Sequence, residues 1–270
     1  MKTFYVTKDT SLKEFTDAVY PQGSFCFAAL LRSKDIKVNG LRVGKSVSLK
    51  RGDEVVYYTS PKQEGKLSHN VIFEDENIYV ADKYSGVSSE ALLSELGAKG
   101  EFYAVHRLDR NTQGLIIFAK NKVAEGELLS AFAERRTIKV YLALCKNNFK
   151  NQSATLSAYL LKDEKTSTVK VYDGEKKGAV KIVTQYSVVE SRGDIALVRV
   201  TLHTGKTHQI RAHMAHIDCP VLGDNKYGDE QLNKKYNLKR QCLVSKILAF
   251  CIDGSLNYLN GKQFISRFEL

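Results

Sequence analysis

Two short segments hold most of the residues whose types and spacing could do chemistry. The first is Val105-His106-Arg107-Leu108-Asp109-Arg110-Asn111-Thr112-Gln113-Gly114, which runs directly into the apolar stretch Leu115–Ala119. One carboxylate, Asp109, sits between two arginines in a polar loop closed by glycine. Guanidinium groups within a few ångströms favour the ionised form of a carboxyl group, so Arg107 and Arg110 are expected to keep Asp109 charged. An ionised Asp at the edge of a rigid strand can serve as nucleophile or general base. A loop salt bridge is the plainer alternative.

The second segment, Leu202–His216, reads LHTGKTHQIRAHMAH and carries four of the six histidines. If a helix starts near Thr207, Ile210, Met214 and Ile217 share its apolar face, and His208, Arg211 and Ala215 lie opposite. Gly205-Lys206-Thr207 at such a start could hold an anion on free amides. The histidines raise a metal reading, but His208, His213 and His216 form no H-x-x-x-H pair, and no acid follows before Asp218. No metal ligand is assigned. Histidines meeting local hydrogen-bonding needs are the alternative.

Strands must position most of these groups. Val71–Phe73 and Ile78–Ala81 bracket four polar residues as in a hairpin, and Leu115–Ala119, Val140–Leu144, Ala179–Val183 and Ile195–Leu202 read as further strands. The last alternates, with Val198, Val200 and Leu202 on one face. One helix spans about Lys122–Arg135, with Ala124, Leu128, Ala131 and Phe132 at helical spacing. Strands dominate without strict strand–helix alternation. The expected class is therefore α+β, a mixed, mainly antiparallel sheet with few helices.

Composition sets the wider bounds. The 270 residues include 41 Lys and Arg against 30 Asp and Glu, a formal charge of +11, with 43% hydrophobic residues. That excludes a disordered chain, and no apolar run approaches the roughly 20 residues of a membrane helix. The opening residues hold no signal-peptide pattern. Five scattered cysteines without a C-x-x-C pair argue against a disulfide framework and for a reducing, cytoplasmic setting. With no coiled-coil segment, a monomer is expected.

The excess charge points to an anionic partner, nucleic acid first. Residues 1–66 carry 12 Lys and Arg against 7 Asp and Glu. Within them Arg32, Lys34, Lys37, Arg42, Lys45, Lys50 and Arg51 face a single acid, Asp35. Ser11-Leu-Lys-Glu14 is a capping-box pattern, Phe25 and Phe27–Leu31 suggest a second helix, Asn39-Gly40 marks a tight turn, and Val55–Tyr58 reads as a strand. Two small helices and a basic hairpin make a module able to follow a phosphate backbone. Ser60–Lys66, with its proline and glycine, reads as a linker.

The turn Ile36-Lys37-Val38-Asn39-Gly40 and the later Leu49-Lys50-Arg51-Gly52-Asp53-Glu54-Val55 resemble the alpha-L RNA-binding domain, the module named after ribosomal small-subunit protein four. HRLDRNTQGLIIFAKN and TGKTHQIRAHMAHIDCPVLGDNKYG resemble the two signatures of RluA-like pseudouridine synthases. VIFEDENIYVADKYSG, KVYLAL and LVSKILAF match three more stretches in that family's order. Gln113 stands where the family usually has Ser, Lys206 where Arg is usual, and Tyr84 where Pro follows the Lys. The resemblance divides the chain into an RNA-binding domain (1–60), a linker (61–69) and a catalytic domain (70–270).

It implies isomerisation of uridine within an RNA chain, without cofactor, metal or energy source. Ribosomal RNA of the large subunit is the foremost substrate and transfer RNA the alternative. By resemblance Asp109 is the essential carboxylate, acting on either base or sugar, and Arg211 is its basic partner. Tyr141 packs on the target base, and Arg107 fills the gap left by the flipped uridine. The seven basic residues of 32–51, with His208 and Gln209, are expected to contact RNA. The rivals are a non-catalytic RNA-binding or ribosome-assembly protein of the same fold, and a metal-dependent hydrolase built on the histidines.

Overall fold

The computed structural model describes residues 1–163 and 168–270. Strand β1 (Lys2–Tyr5) leads through β2 (Thr10–Ser11) into helix α1 (Leu12–Val19). The Ser11 hydroxyl accepts from the Glu14 amide while the Glu14 carboxylate accepts from the Ser11 amide, the reciprocal cap expected of S-x-x-E. The helix read over Phe25 to Leu31 is instead two pieces, α2 (Pro21–Phe25) and α3 (Phe27–Ser33), interrupted at Cys26. Proline is favoured in a first turn, where its missing N–H costs nothing, so the first piece starts earlier than its apolar residues suggest.

Strands β3 (Ile36–Val38) and β4 (Leu41–Arg42) form the basic hairpin. Asn39 and Gly40 both take positive φ, 49° and 79°, as its two-residue turn requires. Asn39 also ties the hairpin to the next turn, donating to Asp53 and accepting from the Glu54 amide. Strand β5 (Ser48–Leu49) pairs β2, and β6 (Glu54–Tyr57) lies between β1 and β3. Leu12, Leu30, Ile36, Val55 and Tyr57 close a core among these elements. The stretch read as a linker contains a helical turn, α4 (Pro61–Glu64), because Ser60 and Gln63 cap it reciprocally.

The rest of the chain is built on one large sheet. Its first strands are β7 (His69–Glu74), β8 (Ile78–Lys83), β9 (Tyr103–Ala104) and β10 (Gln113–Ala119), with helix α5 (Ser89–Gly97) between β8 and β9. Helix α6 (Lys122–Ala133) precedes β11 (Thr137–Lys146), β12 (Ser153–Asp163), β13 (Thr168–Tyr172), β14 (Val180–Arg192) and β15 (Ile195–Leu202). Helices α7 (Gln209–His216) and α8 (Glu230–Lys235), then β16 (Leu243–Phe250) and β17 (Gln263–Ile265), complete the order. The strands run β13-β12-β14-β15-β11-β16-β10-β8-β7, with β9 on β10 and β17 on β16. Among the described residues, β10 with β16 is the one pair of these strands that runs in parallel. The protein is mixed α+β, with a large, mostly antiparallel sheet and few helices.

Strand β10 is buried on both faces. Ile116 and Phe118 enter the core shared with α5, α7 and β15, whereas Leu115, Ile117 and Ala119 enter the one covered by α6. In β15, Ala196, Val198, Val200 and Leu202 all face the first core, as the alternation required. Among the described residues no helix is long and apolar enough to cross a membrane.

Candidate active site

The loop carrying Asp109 is pinned along its length. Ser89, in the first turn of α5, accepts from the Leu108 amide and donates to its carbonyl, both at 3.0 Å. The Arg110 carbonyl accepts from the Gly86 amide at 2.8 Å and from the buried Lys83 ammonium at 3.1 Å. Burial pushes the Lys83 ammonium down to about 7, with the Arg110 charge adding to the effect. Gln241 donates to the buried Thr112 hydroxyl at 2.8 Å. Gly114 then enters β10 at φ 107°, so close to β16 that a Cβ would lie 2.3 Å from the Ser245 carbonyl. Only glycine suits that position.

Arg211 projects from α7 into the same place. Its Nη1 donates to Asp109 Oδ2 at 2.7 Å, while Nε and Nη2 donate to the two oxygens of Asp224 at 2.6 and 2.9 Å. Asp224 is buried and also accepts from the Lys226 and Tyr227 amides. Burial works to raise its carboxyl, but the Arg211 bonds and charge and these amides outweigh it and hold the group below the usual carboxylate range. Among the described residues, no hydrogen-bond donor reaches Asp109 Oδ1.

His208 adopts φ 54°, an uncommon conformation for a side chain of its size. Its Nδ1 bonds the Tyr227 hydroxyl at 2.9 Å and its Nε2 lies 3.8 Å from Asp109 Oδ2. Burial holds its imidazole below the ordinary value despite the Asp109 charge, so it is neutral near pH 7. Tyr141 comes from β11 at a β-bulge, where the register against β16 shifts between Val140 and Tyr141. It is 8% exposed, stands opposite Ser245 in the β11–β16 register, and burial pushes its phenol up to about 12. A neutral phenol and an Arg-bound carboxylate thus share one cavity of about 320 Å³, whose walls also include Arg107, Lys139, Lys206 and His208.

Several sequence expectations need correction. The arginines flanking Asp109 do not supply its guanidinium partner: Arg107 pairs with Glu90 at 3.2 Å and Arg110 with Asp17 at 2.8 Å. Consecutive side chains on an extended loop diverge, so sequence adjacency was a poor guide to contact. Gln209, expected to contact RNA, uses its polar side-chain atoms inside the protein. It is 2% exposed, its Oε1 accepts from Thr204 and the Lys206 amide, and its Nε2 donates to Val183 and Thr184. The same Oε1 occupies the Lys206 amide, and α7 starts two residues later than read, so Gly205-Lys206-Thr207 precedes the helix and lines the cavity.

The histidines disperse to Gln185, Tyr227, Thr184 and Asp173, and among the described residues no three His, Cys, Asp or Glu converge. Of the N-terminal basic residues, Arg32, Lys34, Arg42, Lys45, Lys50 and Arg51 are exposed and Lys37 half-buried, none lining the cavity. Lys37 and Arg42 lie over the Tyr58 ring at 5.5 and 5.4 Å, and Lys50 pairs with Asp9. Sequence reasoning missed Asp224, Tyr227 and Lys83. Asp224 and Tyr227 stand in the GDNKYG stretch of the second signature, the one signal that could have found them.

Residues 62–216 match the family described as RNA pseudouridylate synthase. The chain belongs to that family. The synthase is similar to a ribosomal large subunit pseudouridine synthase C of Rickettsia conorii, 30% identical over 80% of this chain and 83% of the relative. An RNA pseudouridine synthase of Aquifex aeolicus is 32% identical over 82% of this chain and 78% of its own. Among solved structures, human RNA pseudouridylate synthase domain containing 1 aligns with a TM-score of 0.59 and 26% identity, over 68% of this chain and 79% of that one. The signatures and relatives together make this an RluA-like pseudouridine synthase.

Proposed function

We propose that this synthase converts uridine to pseudouridine in ribosomal RNA of the large subunit, with Asp109 as the essential carboxylate and no cofactor. The observation that carries the reading is Asp109 itself: a carboxylate on a pinned loop, with Oδ2 on Arg211 and Oδ1 left for substrate. The reaction breaks the bond from ribose C1′ to uracil N1 and forms one from C1′ to C5. C5 gives up a proton and N1 takes one. Nothing is oxidised or reduced, so side chains alone suffice.

In this reading Arg211 fixes the carboxylate and Tyr141 packs against the base through its ring. A uridine in a duplex must first be extruded, at about a few kcal/mol. Arg107, with a side chain 68% exposed, is tied among the described residues only to the surface carboxylate of Glu90. Such pairs are worth about 0–1 kcal/mol, less than extrusion, so Arg107 is free to stack in the vacated place. Residues 1–60 act as an RNA-binding domain, with the basic residues of 32–51 along the phosphates.

The large-subunit target is supported by relatives from Rickettsia and Vibrio whose names specify it. The test is tritium release from C5 with transcripts of large-subunit ribosomal RNA and of transfer RNA labelled in uridine. Release from the ribosomal transcript is expected; release from transfer RNA alone moves the substrate there.

A further inference from the structure

Arg110 follows Asp109 in the chain, yet its side chain leaves the active site and enters the N-terminal unit. Nη2 donates to both oxygens of Asp17 in α1, at 2.8 and 2.9 Å, and Nη1 donates to the Ser24 carbonyl at 2.9 Å. Asp17 is 5% exposed and also accepts from the Ser24 hydroxyl. A buried charge of this kind is costly unless paired with good geometry. Arg110 meets it with Nη2 while Nη1 of the same planar guanidinium holds the Ser24 carbonyl, and the exposed Lys13 ammonium lies 3.3 Å from Asp17 Oδ2. The Arg110 main chain is meanwhile held by Lys83 and Gly86.

Other contacts close the same seam. Phe25 of α2 is buried in the large core with Leu92 and Leu108 rather than in the N-terminal one. Ser94 of α5 donates to the Ala18 carbonyl at 2.7 Å, and Lys66 to the Phe25 carbonyl at 2.8 Å. The first sixty residues are thus joined to the loop that carries Asp109 rather than tethered beside it.

We infer that Asp17 is a positioning residue for the reaction, acting through Arg110 to set the loop that places Asp109. The inference rests on the assignment of Asp109 as the essential carboxylate. A reacting group displaced by about 1 Å can lose 10²-fold in rate, so a joint one residue from Asp109 bears on the chemical step and not only on docking.

The test uses the full-length chain with a uridine-tritiated large-subunit ribosomal RNA transcript, measuring Kd and the single-turnover rate at saturating RNA. Asp17→Asn is expected to slow that rate about 10-fold or more while leaving Kd within about twofold. Arg110→Lys, which keeps the charge and loses the fork, should do the same. The double variant should be no slower than the slower single, because both remove one joint. A merely structural role lowers thermal stability without moving the saturated rate.

An Asp17→Asn rate within twofold of the unaltered enzyme, with Asp109→Asn inactive, overturns the inference alone, as do additive effects in the double variant. Full activity in Asp109→Asn overturns the assignment beneath it, and this inference with it. If Asp17→Asn does not fold, Arg110→Lys, whose side chain is 25% exposed, is judged alone by the same rate threshold.

Discussion

Arg211 lies bidentate against the buried Asp224, through Nε and Nη2 at 2.6 and 2.9 Å, and only Nη1 remains for Asp109. Because the guanidinium is planar and rigid, fixing one edge fixes the direction of the other. Asp224 therefore orients the donor that orients Asp109.

Arg211→Lys keeps a positive charge and loses the fork. The expected result is a fall of about 10²-fold in single-turnover rate with little change in RNA affinity. Asp224→Asn should lower the rate less and stability more, by about 1.5–3 kcal/mol, because Arg211 keeps Asp109 but loses its charged bidentate partner. Rate and urea unfolding measured on both variants check this split.

Tyr141→Phe retains the ring and loses the hydroxyl. If the ring's packing on the base is what matters, this variant should keep more than about a tenth of the rate, and Tyr141→Ala much less. Equal losses in the two variants would point instead to the hydroxyl.

Gly114→Ala puts a methyl group 2.3 Å from the Ser245 carbonyl at φ 107°. β10 and β16 must separate or the loop must shift. The expected cost is at least about 1–3 kcal/mol, with a lowered rate because Asp109 lies five residues upstream; thermal melting and activity read the two effects.

Acid should destabilise the fold through histidines before carboxylates. Burial, reinforced by the Lys139 charge, pushes the His106 imidazole down to about 3, and burial with His216 pushes His213 to about 4. His106 Nε2 accepts from the Ile117 amide at 3.0 Å, a bond that protonation removes. A folded value below the unfolded one means stability is complete above about pH 6.5 and is lost as pH falls toward the folded value. Urea unfolding at pH 7, 6 and 5 should show a loss approaching about 1.4 kcal/mol per pH unit for each such histidine. Below about pH 4, Asp224, held low by Arg211 against its burial, adds its own loss. A stability constant from pH 7 to 5 contradicts this.

The basic hairpin should govern affinity and its response to salt. Lys45 and Arg51 are exposed, whereas Lys50 already pairs with Asp9 at 2.9 Å. Neutralising Lys45 and Arg51 should reduce the slope of log affinity against log salt by about 0.7–0.9 per lost contact and leave the saturated rate unchanged. Adding Lys50→Ala should change little more.

Much of this was legible in the sequence. Ser11 and Glu14, Asn39-Gly40, the alternation of β15 and the face of α6 are local patterns, and local patterns are read from spacing. Asp109, Arg211 and Tyr141 meet in one cavity as their ordered motifs implied. What spacing does not carry is direction and distance. The flanking arginines of Asp109 point away from it, Gln209 turns inward, and Asp224 reaches Arg211 from thirteen residues on. β12 and the full length of β14, two inner strands between β13 and β15, also went unread, although Ala154, Leu156, Ala158 and Leu160 alternate with Ser153, Thr155, Ser157 and Tyr159 along β12.

The central claim is that Asp109 does the chemistry. The direct measurement is tritium release from C5 of uridine-labelled large-subunit ribosomal RNA, under single-turnover conditions with chelator present, for the unaltered chain and for Asp109→Asn. Release from the unaltered chain and none above background from Asp109→Asn, with equal RNA affinity, is the predicted result. Equal release from both, or loss of release when chelator is added, contradicts the account.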